Sequence, residues 1–315
     1  MSRDTLYIVV PCYNEEEVLP ETSKRLKAKM KSLMDEGLIS QKSRVLFVND
    51  GSRDRTLEII RNLNKNDSLF CGASLSRNRG HQNALLAGLM IAKDRADMII
   101  SMDADLQDDI NAVDDMITEY YDGCDIVYGV RSSRDTDTFF KRFSAEGFYH
   151  IINKMGGEVT FNHADYRLMS RRAVVSLAEY GEVNLFLRGI IPMLGYKTAT
   201  VEYERGERFA GESKYPLKKM LALAAEGVTS LSTYPLRAIT QLGILTLISS
   251  FFLLLFLIFE SFKGYGLAGW RVVLFSQFFF SGAILTALGI VGGYIGKIYL
   301  EAKHRPRYFV EEIIE

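Results

Sequence analysis

The sequence predicts a mixed α/β fold with a mostly parallel sheet, followed by a membrane-associated C-terminal part. Within the first 130 residues, short runs rich in β-branched residues alternate with amphipathic helical stretches. This alternation is typical of parallel strands joined by crossover helices. Further along, two stretches of membrane-spanning length contain no charged residue. We therefore expect one large α/β domain and two transmembrane helices.

The elements of the predicted domain follow the hydrophobic pattern in chain order. The predicted strands are Leu6–Val10, Arg44–Val48, Phe70–Leu75, Met98–Met102 and Ile126–Val130. The predicted flanking helices lie near Glu16–Glu36, Arg55–Lys65, Gln82–Lys93 and Ile110–Asp122. A helix at Phe139–Met155 and a strand at Ala164–Met169 complete the expected domain, which spans residues 1–214.

Composition and charge exclude several classes of protein. The formal net charge is -1, so the chain lacks the excess of positive charge that is typical of nucleic-acid-binding proteins, and we expect no nucleic-acid partner. Cys12, Cys71 and Cys124 are scattered without metal-ligand spacing, and we expect them to be reduced thiols. The apolar stretch Leu6–Pro11 is too short for a signal-peptide core, which predicts a cytoplasmic α/β domain.

Residues 238–259 and 272–296 are the two predicted membrane spans. They are 22 and 25 residues long and contain no charged side chain. At about 1.5 Å per residue each helix would cover roughly 33 Å or more, enough for a hydrocarbon core of about 30 Å. The short link between them predicts a helical hairpin within residues 237–297.

Basic residues near the spans set the expected orientation. Arg237 precedes the hairpin, and Lys303 and Arg305 are among the basic residues that follow it. The positive-inside rule then places both termini in the cytoplasm, with residues 298–315 as a cytoplasmic tail. Residues 215–236 are amphipathic and are expected to lie at the membrane interface, in contact with lipid. Glycines in the second span would permit close helix packing, which is compatible with a homo-oligomer.

Three polar motifs follow strands of the predicted parallel sheet. They are PCYNEEE at residues 11–17, NDGS at 49–52 and DADLQ at 103–107. Open α/β sheets bind ligands at the carboxyl ends of their strands, which is where all three motifs fall. Two carboxylates one residue apart at such a strand end suit a divalent cation that carries a diphosphate. The sequence therefore predicts a nucleotide-binding edge.

These motifs resemble those of the inverting family 2 glycosyltransferases, which have the Rossmann-like GT-A fold. The resemblance extends to DYRL at residues 165–168 and GESKY at 211–215, and it covers nearly the entire chain. More narrowly, the chain resembles polyprenyl-phosphate glycosyltransferases, such as bacterial bactoprenol-phosphate glucosyltransferases and dolichol-phosphate mannose synthase. This resemblance implies a multi-pass protein of the bacterial inner membrane.

The resemblance also implies roles for the residues of the three motifs. Three of them, Pro11, Tyr13 and Glu15, would line the base and ribose pocket, and Asp50 would hydrogen-bond the uracil ring. Asp103 would approach the ribose or the metal. The remaining ligands of Mg²⁺ or Mn²⁺ would be Asp105 and Gln107, since both cations prefer oxygen ligands.

Basic residues are expected to hold the acceptor phosphate. Arg131 ends the fifth predicted strand, and Arg167 and Lys214 are further candidates. Arginine suits phosphate because its planar fork donates two hydrogen bonds at once. A phosphate monoester loses its second proton near pH 6, so the reaction needs no strong base. Asp165 could position the acceptor, accept a residual proton, or simply pair with Arg167.

The predicted reaction is therefore transfer of a sugar from a UDP-sugar to undecaprenyl phosphate. Glucose or an N-acetylhexosamine is the expected sugar, and the product would be a lipid-linked donor for a cell-surface polymer. One alternative is a processive polysaccharide synthase, but its Gln-x-x-Arg-Trp motif is absent, because the single tryptophan is Trp270. The other alternative is a non-catalytic scaffold that binds nucleotide sugar.

Overall fold

The computed structural model describes residues 3–132, 163–182, 186–204 and 269–315. The chain forms two compact units. Unit 1 consists of Met1–Ala224 and Pro306–Glu315, and unit 2 consists of Ala225–Arg305. The predicted helix 139–155, Lys214, the interfacial segment 215–236 and the first predicted span 238–259 lie outside the described residues.

Unit 1 is built on an eight-stranded mixed sheet. Its strands are β1 Leu6–Cys12, β2 Arg44–Asn49, β3 Phe70–Leu75, β4 Met98–Ser101, β5 Ile126–Arg131, β6 His163–Ser170, β7 Thr198–Tyr203 and β8 Val310–Ile314. Their order across the sheet is β7-β5-β6-β4-β1-β2-β3-β8. Neighbours pair in parallel except at three places, where β6 lies antiparallel to β4 and β5 and β8 lies antiparallel to β3.

Helices connect the strands of unit 1 as the sequence pattern predicts. The described helices of unit 1 are α1 Leu19–Asp35, α2 Thr56–Asn66, α3 His81–Ala92, α4 Ala112–Tyr121, α5 Arg171–Ala178 and α6 Leu187–Met193. The first four strands and the first four helices lie within a few residues of their predicted positions. Because crossover helices cover both faces, the central strands are buried throughout, as in β1 and β3.

Two edge strands were not predicted. β7 pairs in parallel with β5 at one edge of the sheet. At the opposite edge β8 pairs with β3, with Gly72 opposite Ile314. The predicted cytoplasmic tail 298–315 therefore contains a strand of the sheet.

The second predicted span falls within α7, a helix of unit 2 at Gly269–Ala302. Counting only described residues, no helix is long and apolar enough to cross a membrane. The transmembrane hairpin therefore stays a prediction.

The close approach of α3 to the sheet depends on Gly88. A Cβ atom at Gly88 would lie 2.3 Å from Val9 Cγ1 and 2.8 Å from Val48 Cγ2, both on buried strands. Because Gly88 has no side chain, α3 can pack closely against β1 and β2. This packing fixes the position of His81, the first residue of α3.

We expect Gly88→Ala to lower the free energy of unfolding by about 1–3 kcal/mol, the usual cost of overpacking a core. Chemical denaturation of the purified protein would measure the change. Gly181→Ala is the matched control, because nothing lies within 4 Å of its Cβ position. Wild-type stability in Gly88→Ala would contradict this account of the packing.

Candidate active site

The carboxyl ends of the central parallel strands bring the three predicted motifs together. Cys12 at the end of β1 is the register partner of Asn49 at the end of β2. Beyond these strands, the Asn14 N–H donates to Ser52 Oγ at 3.0 Å, and the Glu15 N–H donates to Thr56 Oγ1 at 2.9 Å. The loops after β1 and β2 therefore form one hydrogen-bonded unit.

Asp50, predicted to bind the uracil ring, is buried directly after β2. Its two carboxylate oxygens accept the backbone N–H groups of Arg79 and Gly80, at 2.7 and 2.9 Å. Burial raises the pKa of the Asp50 carboxyl, and these two hydrogen bonds oppose the shift. In the structure Asp50 thus holds the turn that leads into α3 and His81.

The DADLQ loop follows β4 and turns sharply at Leu106. Leu106 has φ 59°, a left-handed conformation that is rare for a residue with a branched side chain. Its side chain and that of Ala104 are buried beneath the loop. The Gln107 backbone N–H donates to Asp105 Oδ1 at 3.2 Å, so the turn holds the carboxylate of Asp105 in place.

His81 bridges two of the predicted site carboxylates. Its Nε2 lies 3.6 Å from Asp103 Oδ1 and 3.6 Å from Asp165 Oδ2. Burial lowers the pKa of His81, but the two carboxylates outweigh this effect and raise the pKa to about 9. His81 therefore lies between the loop after β4 and strand β6, where both carboxylates favour its protonated form.

Asp165 on β6 is surrounded by positive charge. Arg167 Nη2 donates to Asp165 Oδ1 at 2.7 Å, and Arg188 on α6 donates to the two oxygens at 3.2 and 3.0 Å. Burial would raise the pKa of Asp165, but Arg188, His81 and Arg167 together hold the pKa well below the ordinary value of 3.8. The Arg167 side chain is 1% exposed, so it pairs with Asp165 inside the protein.

Asp103 and Asp108 show that negative charge is crowded at this edge. Burial raises the pKa of Asp103, the charge of His81 opposes this shift, and the charges of Asp165 and Asp105 add to it. Burial also raises the pKa of Asp108 to about 6, with a further contribution from the charge of Asp103. Carboxylates that repel one another in this way would be stabilised by a cation.

The donor set fits a hard divalent cation shared with a substrate. Within the described part of the chain, no group of three or more His, Cys, Asp or Glu side chains is arranged to hold a metal ion. Mg²⁺, however, is usually held by one or two carboxylates together with substrate phosphates and water. Asp103 and Asp105 supply two such carboxylates, and a bound cation would relieve the repulsion between them.

Arg131 lies at the end of β5, on the flank of the acidic cluster. Its Nε donates to the Tyr203 hydroxyl at 3.4 Å, and its Nη2 lies 4.0 Å from Asp108 Oδ1. The Tyr203 hydroxyl in turn donates to Asp108 Oδ1 at 2.6 Å. The Arg131 side chain is 30% exposed, so a ligand can reach it.

The structure brings most predicted site residues to one edge and adds four more. Pro11, Tyr13, Glu15, Asp50, Asp103, Asp105, Gln107 and Arg131 all lie in or next to the strand-end loops, and Asp165 and Arg167 lie on β6 beside β4. The additional residues are His81, Asp108, Arg188 and Tyr203. The sequence predicts a site role for none of the four, although Asp108 ends the acidic motif after β4 and His81 flanks a predicted site loop, where a structural role is expected for it.

A mostly parallel α/β sheet with an acidic loop at its carboxyl edge is compatible with the GT-A fold of glycosyltransferases. The chain belongs to glycosyl transferase family 2, whose family model matches residues 7–177. This finding confirms the family and the enzyme class that the sequence motifs predict.

Curated relatives match over almost the full length of the chain. The uncharacterized glycosyltransferase YkoT of Bacillus subtilis is 49% identical, covering 98% of this chain and 92% of the relative. The bactoprenol glucosyl transferase of Shigella phage SfV is 39% identical, covering 96% and 97%. Among solved structures, mannosyl-3-phosphoglycerate synthase from Rubrobacter xylanophilus matches with a TM-score of 0.51 at 15% identity. It covers 76% of this chain and 75% of that protein, a likeness of fold.

We expect Asp165→Asn to lower the free energy of unfolding by about 3–5 kcal/mol at neutral pH, because it leaves the buried Arg167 guanidinium without its counter-ion. Asp165 has a depressed pKa in the folded state, so its contribution is present above the unfolded pKa of about 3.9 and is lost as the pH falls through the folded value. The stability difference should therefore persist throughout pH 5–8.

Denaturation of both proteins as a function of pH would measure this difference. Asp94→Asn is the control, because the Asp94 side chain is 72% exposed. If Asp165→Asn were as stable as the control at neutral pH, the buried ion pair would not have the importance assigned to it.

Proposed function

We propose that this glycosyltransferase transfers a sugar from a UDP-sugar to the phosphate of undecaprenyl phosphate, with inversion at the anomeric carbon. The observation that carries the proposal is the pairing of an acidic cluster around Asp103 with an accessible arginine, Arg131, on its flank. Such a site suits one anionic substrate bound through a cation and a second held by arginine. The 39% identity to a bactoprenol glucosyl transferase supports a lipid-phosphate acceptor.

The donor half of the site is assigned to the loops after β1, β2 and β4. Pro11, Tyr13 and Glu15 would contact the base and ribose, with Asp50 at the uracil edge. The site would hold Mg²⁺ or Mn²⁺ through Asp105, with Asp103 and Gln107 as further ligands. The bound cation would neutralise charge that develops on the diphosphate leaving group.

The chemical step is a single displacement. An oxygen of the acceptor phosphate forms a bond to the anomeric carbon, while the bond from that carbon to the β-phosphate oxygen breaks and its electron pair leaves with UDP. A phosphate dianion needs no base, since its second proton is lost near pH 6. Asp165, with three cationic partners, is a weak base, and we assign it a positioning role.

The acceptor half of the site is assigned to basic residues. Arg131 would hold the lipid phosphate, together with Lys214. Arg167 was a candidate for the same role, but its 1% exposure favours the role of partner to Asp165. Arg188 is 35% exposed and pairs with the same carboxylate, which makes it the better candidate for contact with a ligand.

We further propose that unit 2 attaches the enzyme to the bacterial inner membrane through the hairpin 237–297, with unit 1 in the cytoplasm. Large apolar side chains are exposed along α7, as at Ile284, Leu288, Ile295 and Ile298. A contiguous apolar surface of this kind is typical of contact with lipid or with another helix. Membrane attachment would bring the site to an acceptor that resides in lipid, and a homo-oligomer is compatible with the same surface.

The test is turnover by the purified full chain in detergent, with undecaprenyl phosphate, Mg²⁺ or Mn²⁺ and a panel of radiolabelled nucleotide sugars. We expect label from one UDP-sugar to partition into organic solvent. Asp105→Ala should reduce the rate by about a hundredfold or more, because metal stabilisation of the leaving group is worth several kcal/mol.

Asp94→Ala changes an exposed carboxylate that precedes the start of β4, whereas the DADLQ loop follows the end of this strand. It is the matched control and should keep the wild-type rate. Activity that survives both chelation and Asp105→Ala would rule out the metal-dependent mechanism. Release of UDP without a labelled lipid, in folded protein, would rule out the proposed acceptor.

A further inference from the structure

Tyr203 joins two strands at the edge of the candidate site. It is the last residue of β7 and the register partner of Arg131, the last residue of β5. Beyond this pair, the Ser132 N–H donates to the Tyr203 carbonyl oxygen at 3.0 Å, and the Ser132 hydroxyl donates to the same oxygen at 3.2 Å. The backbone of the sheet therefore fixes Tyr203 beside Arg131.

The ring of Tyr203 is fixed as well. It meets the Tyr166 ring edge to face, with centroids 5.3 Å apart and an interplanar angle of 84°. This is a favourable geometry for aromatic pairs. Because Tyr203 is buried and its ring is packed, its hydroxyl has a defined position.

The Tyr203 hydroxyl is both a hydrogen-bond donor and a hydrogen-bond acceptor. It donates to Asp108 Oδ1 at 2.6 Å and accepts a long hydrogen bond of 3.4 Å from Arg131 Nε. Asp108 is 5% exposed, and a carboxylate buried to this extent needs hydrogen bonds and positive charge nearby. Tyr203 and Arg131 supply them, which explains how Asp108 can remain beside the other carboxylates.

The same contacts restrain the guanidinium of Arg131. A guanidinium has five N–H donors, and these contacts involve Nε and Nη2 on one edge. We propose that Tyr203 is a positioning residue for the acceptor: with Asp108, it holds Arg131 so that the remaining donors face the acceptor phosphate. This inference rests on the acceptor role proposed for Arg131.

Initial rates of the full chain in detergent test the proposal. The acceptor undecaprenyl phosphate and the donor UDP-sugar are each varied while the other is saturating, for wild type, Tyr203→Phe, Arg131→Ala and the double variant. Tyr203→Phe keeps the ring and removes only the hydroxyl. We expect it to raise the acceptor KM about tenfold, the size of a hydrogen bond to a charged group.

The donor KM of Tyr203→Phe should remain at the wild-type value, which separates positioning of the acceptor from a general disturbance of the site. The double variant should be no worse than Arg131→Ala, since both changes disable the same group. Tyr120→Phe is the matched control, because it removes a tyrosine hydroxyl that donates to the Asp4 carboxylate at 2.9 Å, before the start of β1. It should leave the acceptor KM unchanged.

Three results would overturn the inference in distinguishable ways. If Arg131→Ala raises the acceptor KM and Tyr203→Phe does not, Tyr203 has no positioning role while the proposed function stands. If Tyr203→Phe raises the donor KM as much as the acceptor KM, its role is structural. If Arg131→Ala leaves the acceptor KM unchanged, the acceptor role proposed for Arg131 is itself wrong.

Discussion

The carboxylate of Asp165 is the group on which the rest of the site depends. It neutralises Arg167 inside the sheet, accepts hydrogen bonds from Arg188 on α6, and lies 3.6 Å from His81 at the start of α3. Strand β6 and helices α3 and α6 thus each contribute a basic side chain to one negative charge. Removing one partner of a buried ion pair leaves the other charge uncompensated and strongly destabilises the folded state. Substitution of any of these residues is therefore expected to lower the stability of the protein.

The arrangement of charge around Asp165 separates the two halves of the site. Asp103 and Asp108 are close enough for their charges to repel each other, while Arg131 lies 4.0 Å from Asp108 and Arg188 lies 3.0 Å from Asp165. The proposed reaction joins two phosphate-bearing substrates, which repel each other. The arginines, and a divalent metal held by the carboxylate pair, would offset this repulsion. Little reorganisation would be required, because the fold already holds these groups in place.

The parts of the structure that depend on local pattern could be predicted from the sequence. Strands β1 to β5 and helices α1 to α4 follow hydrophobic periodicity, and the DADLQ motif marked the acidic loop. β7 and β8 could not be predicted from local sequence. Each is an edge strand that forms by pairing with a strand distant in sequence, β7 with β5 and β8 with β3. The contacts of His81, Arg188 and Tyr203 could not be predicted for a related reason: they join charged groups and hydroxyls that only the tertiary fold brings together.

The position of β8 in the chain bears on how the protein is made. β8 follows unit 2 in sequence yet completes the sheet of unit 1 by pairing with β3. At a synthesis rate of about 5–20 residues per second, roughly ten seconds or more would pass between the synthesis of β3 and that of β8. During this time the edge of β3 is unpaired. An unpaired strand edge can pair with another chain in that interval. Nascent chains would therefore be most prone to association while unit 2 is still being translated.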